Sequence, residues 1–152
     1  MRRLFLLVGL VAALFAGGCA QLDRTGTANL ADYRRVFVEQ RLNDNLGIHR
    51  ALVAELRQLG YAAESGPSTM MPDDTELILT YDARETWDFR PYLIELQAAV
   101  RPAQDYNRIL VTSRYFRPGV TKKSPEQMVH ELLKSLFAPA TAKTKPARGR
   151  AG

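Results

Sequence analysis

The sequence predicts an α+β fold: a two-layer sandwich in which a mostly antiparallel sheet of four to five strands carries two amphipathic helices on one face. Three observations lead there. The segments IHRALVAELRQLGY and PEQMVHELLKSLF place apolar residues at helical spacing. The stretches between them alternate apolar and polar residues at strand spacing. The links between the later strands are short, as in an antiparallel meander. A folded segment of about a hundred residues supports one core and not two, so residues 33–137 are expected to form a single domain.

In chain order, Met1-Arg2-Arg3 gives a short basic start and Leu4 to Ala16 a run without charge. A helix over that run reaches only about 20 Å, short of a hydrocarbon core of about 30 Å, so residues 1–18 read as an export signal and not a membrane span. Ala16-Gly17-Gly18 then brings a peptidase site to Cys19, the one cysteine of the chain. This stretch resembles the lipobox of bacterial lipoproteins, with Ala16 standing where that pattern normally has Leu, Val or Ile. The resemblance implies a thioether-linked diacylglycerol on Cys19, cleavage before it and acylation of the new amino terminus. Only a sulfur nucleophile forms that thioether, which is why serine could not serve. Ala20 in place of aspartate implies sorting to the outer membrane. An exported chain with a single thiol forms no internal disulfide, so its stability rests on the core.

Residues 19–32 are expected to be a lipidated tether. Tyr33 to Gln40 reads as a strand, with Val36 and Val38 on one face and Phe37 between them. Asp44 or Asn45 is a cap for the helix that follows, whose stripe is Ile48, Leu52, Leu56 and Leu59. Gly60 ends it in a left-handed conformation, and Tyr61 folds back on the last turn. A short strand over Tyr61 to Glu64 and a loop over residues 66–74 come next. Thr75 to Trp87, Arg90 to Arg101 and Arg108 to Pro118 are read as strands. In the second of these Ile94, Leu96, Ala98 and Val100 face one way. Ser124-Pro125-Glu126-Gln127 is a capping box opening a helix with Val129, Leu132, Leu133 and Leu136 on one side. Residues 138–152 carry Lys143, Lys145, Arg148 and Arg150 with few apolar groups and are expected to be a disordered basic tail.

Charge excludes one class of function. The chain carries a net +5. Arg2 and Arg3 belong to the signal and four cations to the tail, and without them the remainder is close to neutral at −1. A nucleic-acid-binding domain concentrates its cations on the folded surface, so no nucleic-acid partner is expected. The order of elements, with VFVEQ, the LxxxLxxLGY helix end, YDARETWDFRPYL and SPEQMVHELLKSLF, resembles small lipoproteins of Gram-negative bacteria of unknown function.

Catalytic signatures are missing from the sequence. HELLK, residues 130–134, stops one residue short of a zinc-protease pattern, because Lys134 occupies the place of the second histidine. His49 and His130 are therefore expected to be exposed helix residues, and no cofactor or metal is expected. The constellation worth weighing is TYDARETWDFRPYL, residues 80–93. Asp82, Arg84, Trp87, Asp88, Arg90 and Tyr92 form a candidate binding surface, since Trp, Tyr and Arg dominate protein interfaces. The same row also reads as a solvated face with cross-strand ion pairs. The expected function is a non-catalytic, lipid-anchored envelope protein facing the periplasm, held to the membrane by its anchor and binding an envelope protein or cell-wall polymer. The alternatives are an envelope hydrolase using Asp82 and Asp88, or a purely structural lipoprotein.

Overall fold

The computed structural model describes residues 20–88, 90–117 and 123–139. Cys19, the signal and residues 140–152 of the tail lie outside the described residues. The elements are β1 (Gln21–Thr25), β2 (Arg35–Glu39), α1 (Ile48–Gln58), β3 (Ala62–Gly66), a 3-10 turn (Ser68–Met70), β4 (Leu77–Asp88), β5 (Arg90–Pro102), β6 (Val111–Phe116) and α2 (Pro125–Leu136). Among the described residues they build one six-stranded sheet, in the order β1-β6-β5-β4-β2-β3, with both helices in the core on one face. The fold is the expected α+β sandwich.

The sheet is mixed. From β1 through β6 and β5 to β4 all neighbours are antiparallel, whereas β2 is parallel to both β3 and β4. A helix between β2 and β3 returns the chain to the end it started from, which makes parallel pairing the compatible geometry. The extra strand is β1. Its residues lie within the segment expected to be a tether, yet Gln21 to Thr25 pair in register with Phe116 to Thr112. QLDRT carries no apolar alternation, so only the partner strand reveals it. Ser113, fully buried, donates to the Asp23 carbonyl at 3.2 Å and contacts Ser135 of α2 at 3.3 Å. Arg24 bonds the Gly26 and Ala138 carbonyls, which ties β1 to the end of α2. At Gly26 the backbone has φ 109°, and a Cβ there would sit 2.4 Å from the Leu110 carbonyl oxygen. Only glycine permits that approach.

Core residues come from Val36, Val38, Leu77, Leu79, Leu96 and Tyr115 of the sheet, closed over by Ile48, Leu52 and Leu56 of α1 and Met128, Leu132 and Leu136 of α2. Phe37 and Ile78 are buried too but stand apart from this cluster, and their place in the strand alternation assigns them to the other face. Leu59, placed in the stripe by its spacing, is 43% exposed, and Val53 is buried instead. The helix turns away before Leu59 can reach the core: the Gly60 N–H bonds the Arg57 carbonyl and the Tyr61 N–H the Leu56 carbonyl. That pair of bonds is the Schellman closure the glycine was expected to make. Tyr61 then packs against Phe137 with ring centroids 4.9 Å apart, joining the ends of the two helices. The capping box at Ser124 and Gln127 is present in both directions.

A side chain at position 26 has no room unless β1 leaves its neighbour. Gly26→Ala is therefore expected to lower stability by about 2 kcal/mol in urea unfolding, with faster protease cleavage near residues 21–25. An unchanged midpoint would contradict this placement of β1.

Candidate binding surface

β4 and β5 form one long hairpin that outruns its neighbours. β2 pairs only with Leu77 to Leu79, and β6 pairs only with Glu95 to Val100. Beyond those limits, from about residue 85 to residue 93, the two strands pair with no third strand among the described residues and project as a ribbon. A bulge between Arg84 and Glu85 marks its root: Arg84 faces Glu95, but Glu85 faces Leu93, so Ile94 is the extra residue. This shifts the alternation by one. Leu93 is buried and Ile94 is not, which corrects the expected inward run.

The face of the sheet away from the helices carries the charges of the candidate surface. Arg84 and Arg114 reach the same carboxylate, Glu95, at 2.9 and 2.5 Å. Both guanidiniums also lie over the Phe116 ring, 5.6 and 5.2 Å from its centroid. Glu95 is thereby shielded to 14% side-chain exposure while the two arginines stay open to solvent. Asp82 is exposed and ion-paired with Arg41 from the loop after β2. Such surface pairs contribute about 1 kcal/mol or less each, so they order the face without holding the fold.

The proposed site residues thus divide. Asp82 and Arg84 lie on the charged face, Trp87 stands out from the ribbon at 73% exposure, and Tyr92 pairs across from Thr86. Asp88 and Arg90 face one another at the tip, with their side chains outside the described part. Glu95 of β5 and Arg114 and Phe116 of β6 belong to the same surface. Their strand-adjacent placement depends on register, which alternation alone does not number.

A second cluster was invisible as a site. His49 is buried, not exposed as expected, and its Nδ1 lies 2.6 Å from Asp44 Oδ2. Asp44 also accepts from the backbone N–H groups of Ile48 and His49 and from the Tyr81 hydroxyl, each at 2.8 Å. Asp44 therefore caps α1 as expected, although the residue at the helix boundary is Gly47. Burial pushes the Asp44 carboxyl up, but the accepted hydrogen bonds outweigh it and hold the group at about 2. Burial and the bond to Asp44 push the Tyr81 hydroxyl up. The cluster pins the β2–α1 loop to β4. Beside it a groove of about 360 Å³ is lined by Glu39, Arg41, Leu42, Thr80, Tyr81 and Tyr106. His130 is exposed as expected and pairs with Glu55 of α1 at 2.7 Å. Among the described residues no group of three or more metal-ligating side chains comes together.

The arrangement is that of an α+β sandwich with one helix-covered face and one polar face. No protein-family model and no curated protein matches the sequence. Among solved structures the chain is similar in fold to the PelC dodecamer from Paraburkholderia phytofirmans. A single-substitution variant gives a TM-score of 0.59 at 12% identity, covering 78% of this chain and 99% of that one. A second PelC crystal form gives 0.57 at 13% identity, covering 82% and 99%. TolB from Acinetobacter baumannii overlaps 77% of this chain and 30% of its own at a TM-score of 0.46 and 15% identity. At these identities the likeness to PelC is one of fold.

The Asp44 carboxyl titrates below its ordinary value of 3.8 in the folded state. Its contribution is complete above that value, falls as the pH drops through it, and is gone below about 2. Asp44→Asn is expected to cost about 2 kcal/mol at pH 7. The gap between the two proteins should close on acidification, as followed by urea unfolding at several pH values. A constant gap would contradict this role.

Proposed function

We propose that this protein is a non-catalytic, lipid-anchored protein of the cell envelope, attached through Cys19 to the periplasmic face of the outer membrane and serving as a binding or assembly module. The observation that carries the reading is the position of Cys19: the lipobox cysteine stands two residues before β1, a strand paired into the sheet from its first residue. A lipid there would hold the whole domain at the membrane. No helix among the described residues is long and apolar enough to cross a membrane, so attachment in this reading falls to the lipid.

The binding half of the proposal is supported by the open polar face around Arg84, Glu95, Arg114 and Phe116 and by the outer edge of β4. From Thr80 onward that edge has no strand beside it among the described residues. Unpaired edges are places where another chain can add. Self-association is the first form to test, since the PelC fold neighbour is a dodecamer.

Two measurements check the proposal. Wild-type protein should take up labelled palmitate and fractionate with the outer membrane, while Cys19→Ser should lose both. An unlabelled, soluble wild type would remove the anchor. Sedimentation of the purified lipoprotein in detergent should give a mass of several protomers, falling toward one when Arg84→Glu and Arg114→Glu are combined. A monomer in both would direct the search to a different partner.

A further inference from the structure

Register places four residues at one level across the sheet: Gln21, Phe116, Glu95 and Arg84. The chain enters the fold at this level, and β4 continues beyond it, away from Pro102 and the β5–β6 loop at the opposite end. The entry of the chain and the ribbon therefore share one end of the domain.

Two lengths then matter. From Cys19 to Gln21 is two residues, which span at most about 7 Å. From Arg84 to Trp87 is three strand residues, about 10 Å at strand rise. A lipid attached at Cys19 would sit at roughly the depth that Trp87 reaches. A long loose tether would let the domain float free of the surface, but β1 leaves no such length. A bilayer holding the anchor must come against the ribbon.

The side chains at this end suit that neighbour. Trp87 is the one tryptophan of the chain and the most exposed aromatic residue described. An indole prefers the boundary between headgroups and acyl chains, where its ring is buried and its N–H stays wet. Around it the ribbon carries Arg84 and Arg90 against Glu85 and Asp88, so its charges cancel.

We propose that the β4–β5 ribbon is a second membrane contact, in which Trp87 enters the interface of the phospholipid bilayer that holds the anchor. The inference rests on the lipid-anchor reading and adds an orientation to it: the Trp87 end faces the membrane and the Tyr106 end faces the periplasm.

The lone tryptophan is its own probe. The lipidated mature protein is reconstituted in phosphatidylethanolamine–phosphatidylglycerol vesicles and compared with soluble Cys19→Ser. Emission should shift to shorter wavelength, acyl-chain bromines should quench it, and quenching by aqueous iodide should fall by roughly twofold or more. The double variant Trp87→Phe, Tyr106→Trp moves the probe to the far end of the sheet and should show none of these changes. If the lipid is present but Trp87 emits as in water, the second contact is overturned and the anchor stands. Quenching of both probes alike would also overturn it, because the domain would have no fixed orientation. A wild type whose mass shows no lipid on Cys19 would remove the anchor and the inference together.

Discussion

The pairing of Gln21–Thr25 with Thr112–Phe116 is the interaction on which the rest depends. It supplies an edge for the sheet, covers β6 and fixes where the chain enters the domain. Five residues of ladder would be marginal alone, and the strand is held from both sides. Buried Ser113 bonds its backbone, Arg24 reaches the end of α2, and Gly26 allows the turn that lets the chain leave. Without β1, residues between Cys19 and Tyr33 would be a leash. With it, the chain enters a rigid body at Gln21, two residues after Cys19 in the sequence.

The second constraint is the mismatch in strand length. β4 and β5 have 12 and 13 residues, whereas β1 and β2 have 5 each and β6 has 6. The excess has to project, and the bulge at Ile94 sits at the point where support from β6 ends. There the alternation resets, so that Leu93 closes the core and the charged row at Arg84 and Glu95 stays on the outer face. Trp87 lies beyond the last supporting strand, which is why a large apolar ring is left in solvent.

Much of this was legible from the residues. Both helices, the capping box, the Gly60 closure and the burial of Val36 and Val38 followed from period and cap chemistry. Asp82 and Arg84, both in the expected binding surface, share one face because alternation alone decides that. What stayed hidden were features that depend on a partner strand. QLDRT has no apolar pattern of its own, and the bulge that exchanges Ile94 for Leu93 follows from β5 taking one residue more than β4 needs. Glu95 and Arg114 lie 19 residues apart and meet only through register. His49 looked like a surface helix residue because its burial depends on Asp44 and Tyr81, one in a loop and one on a distant strand. A histidine one turn from an aspartate at a helix start is the signal that could have pointed to it.

Amide hydrogen exchange of residues 21–25 tests the account most directly. A strand paired with β6 and fixed by Ser113 predicts slow exchange for the inward-bonded amides of this segment, comparable with the partner amides of β6. Exchange at the rate of an unstructured chain, with β6 still protected, would mean that residues 20–32 are a free leash. The proposed anchor would then fix no end of the domain toward a membrane.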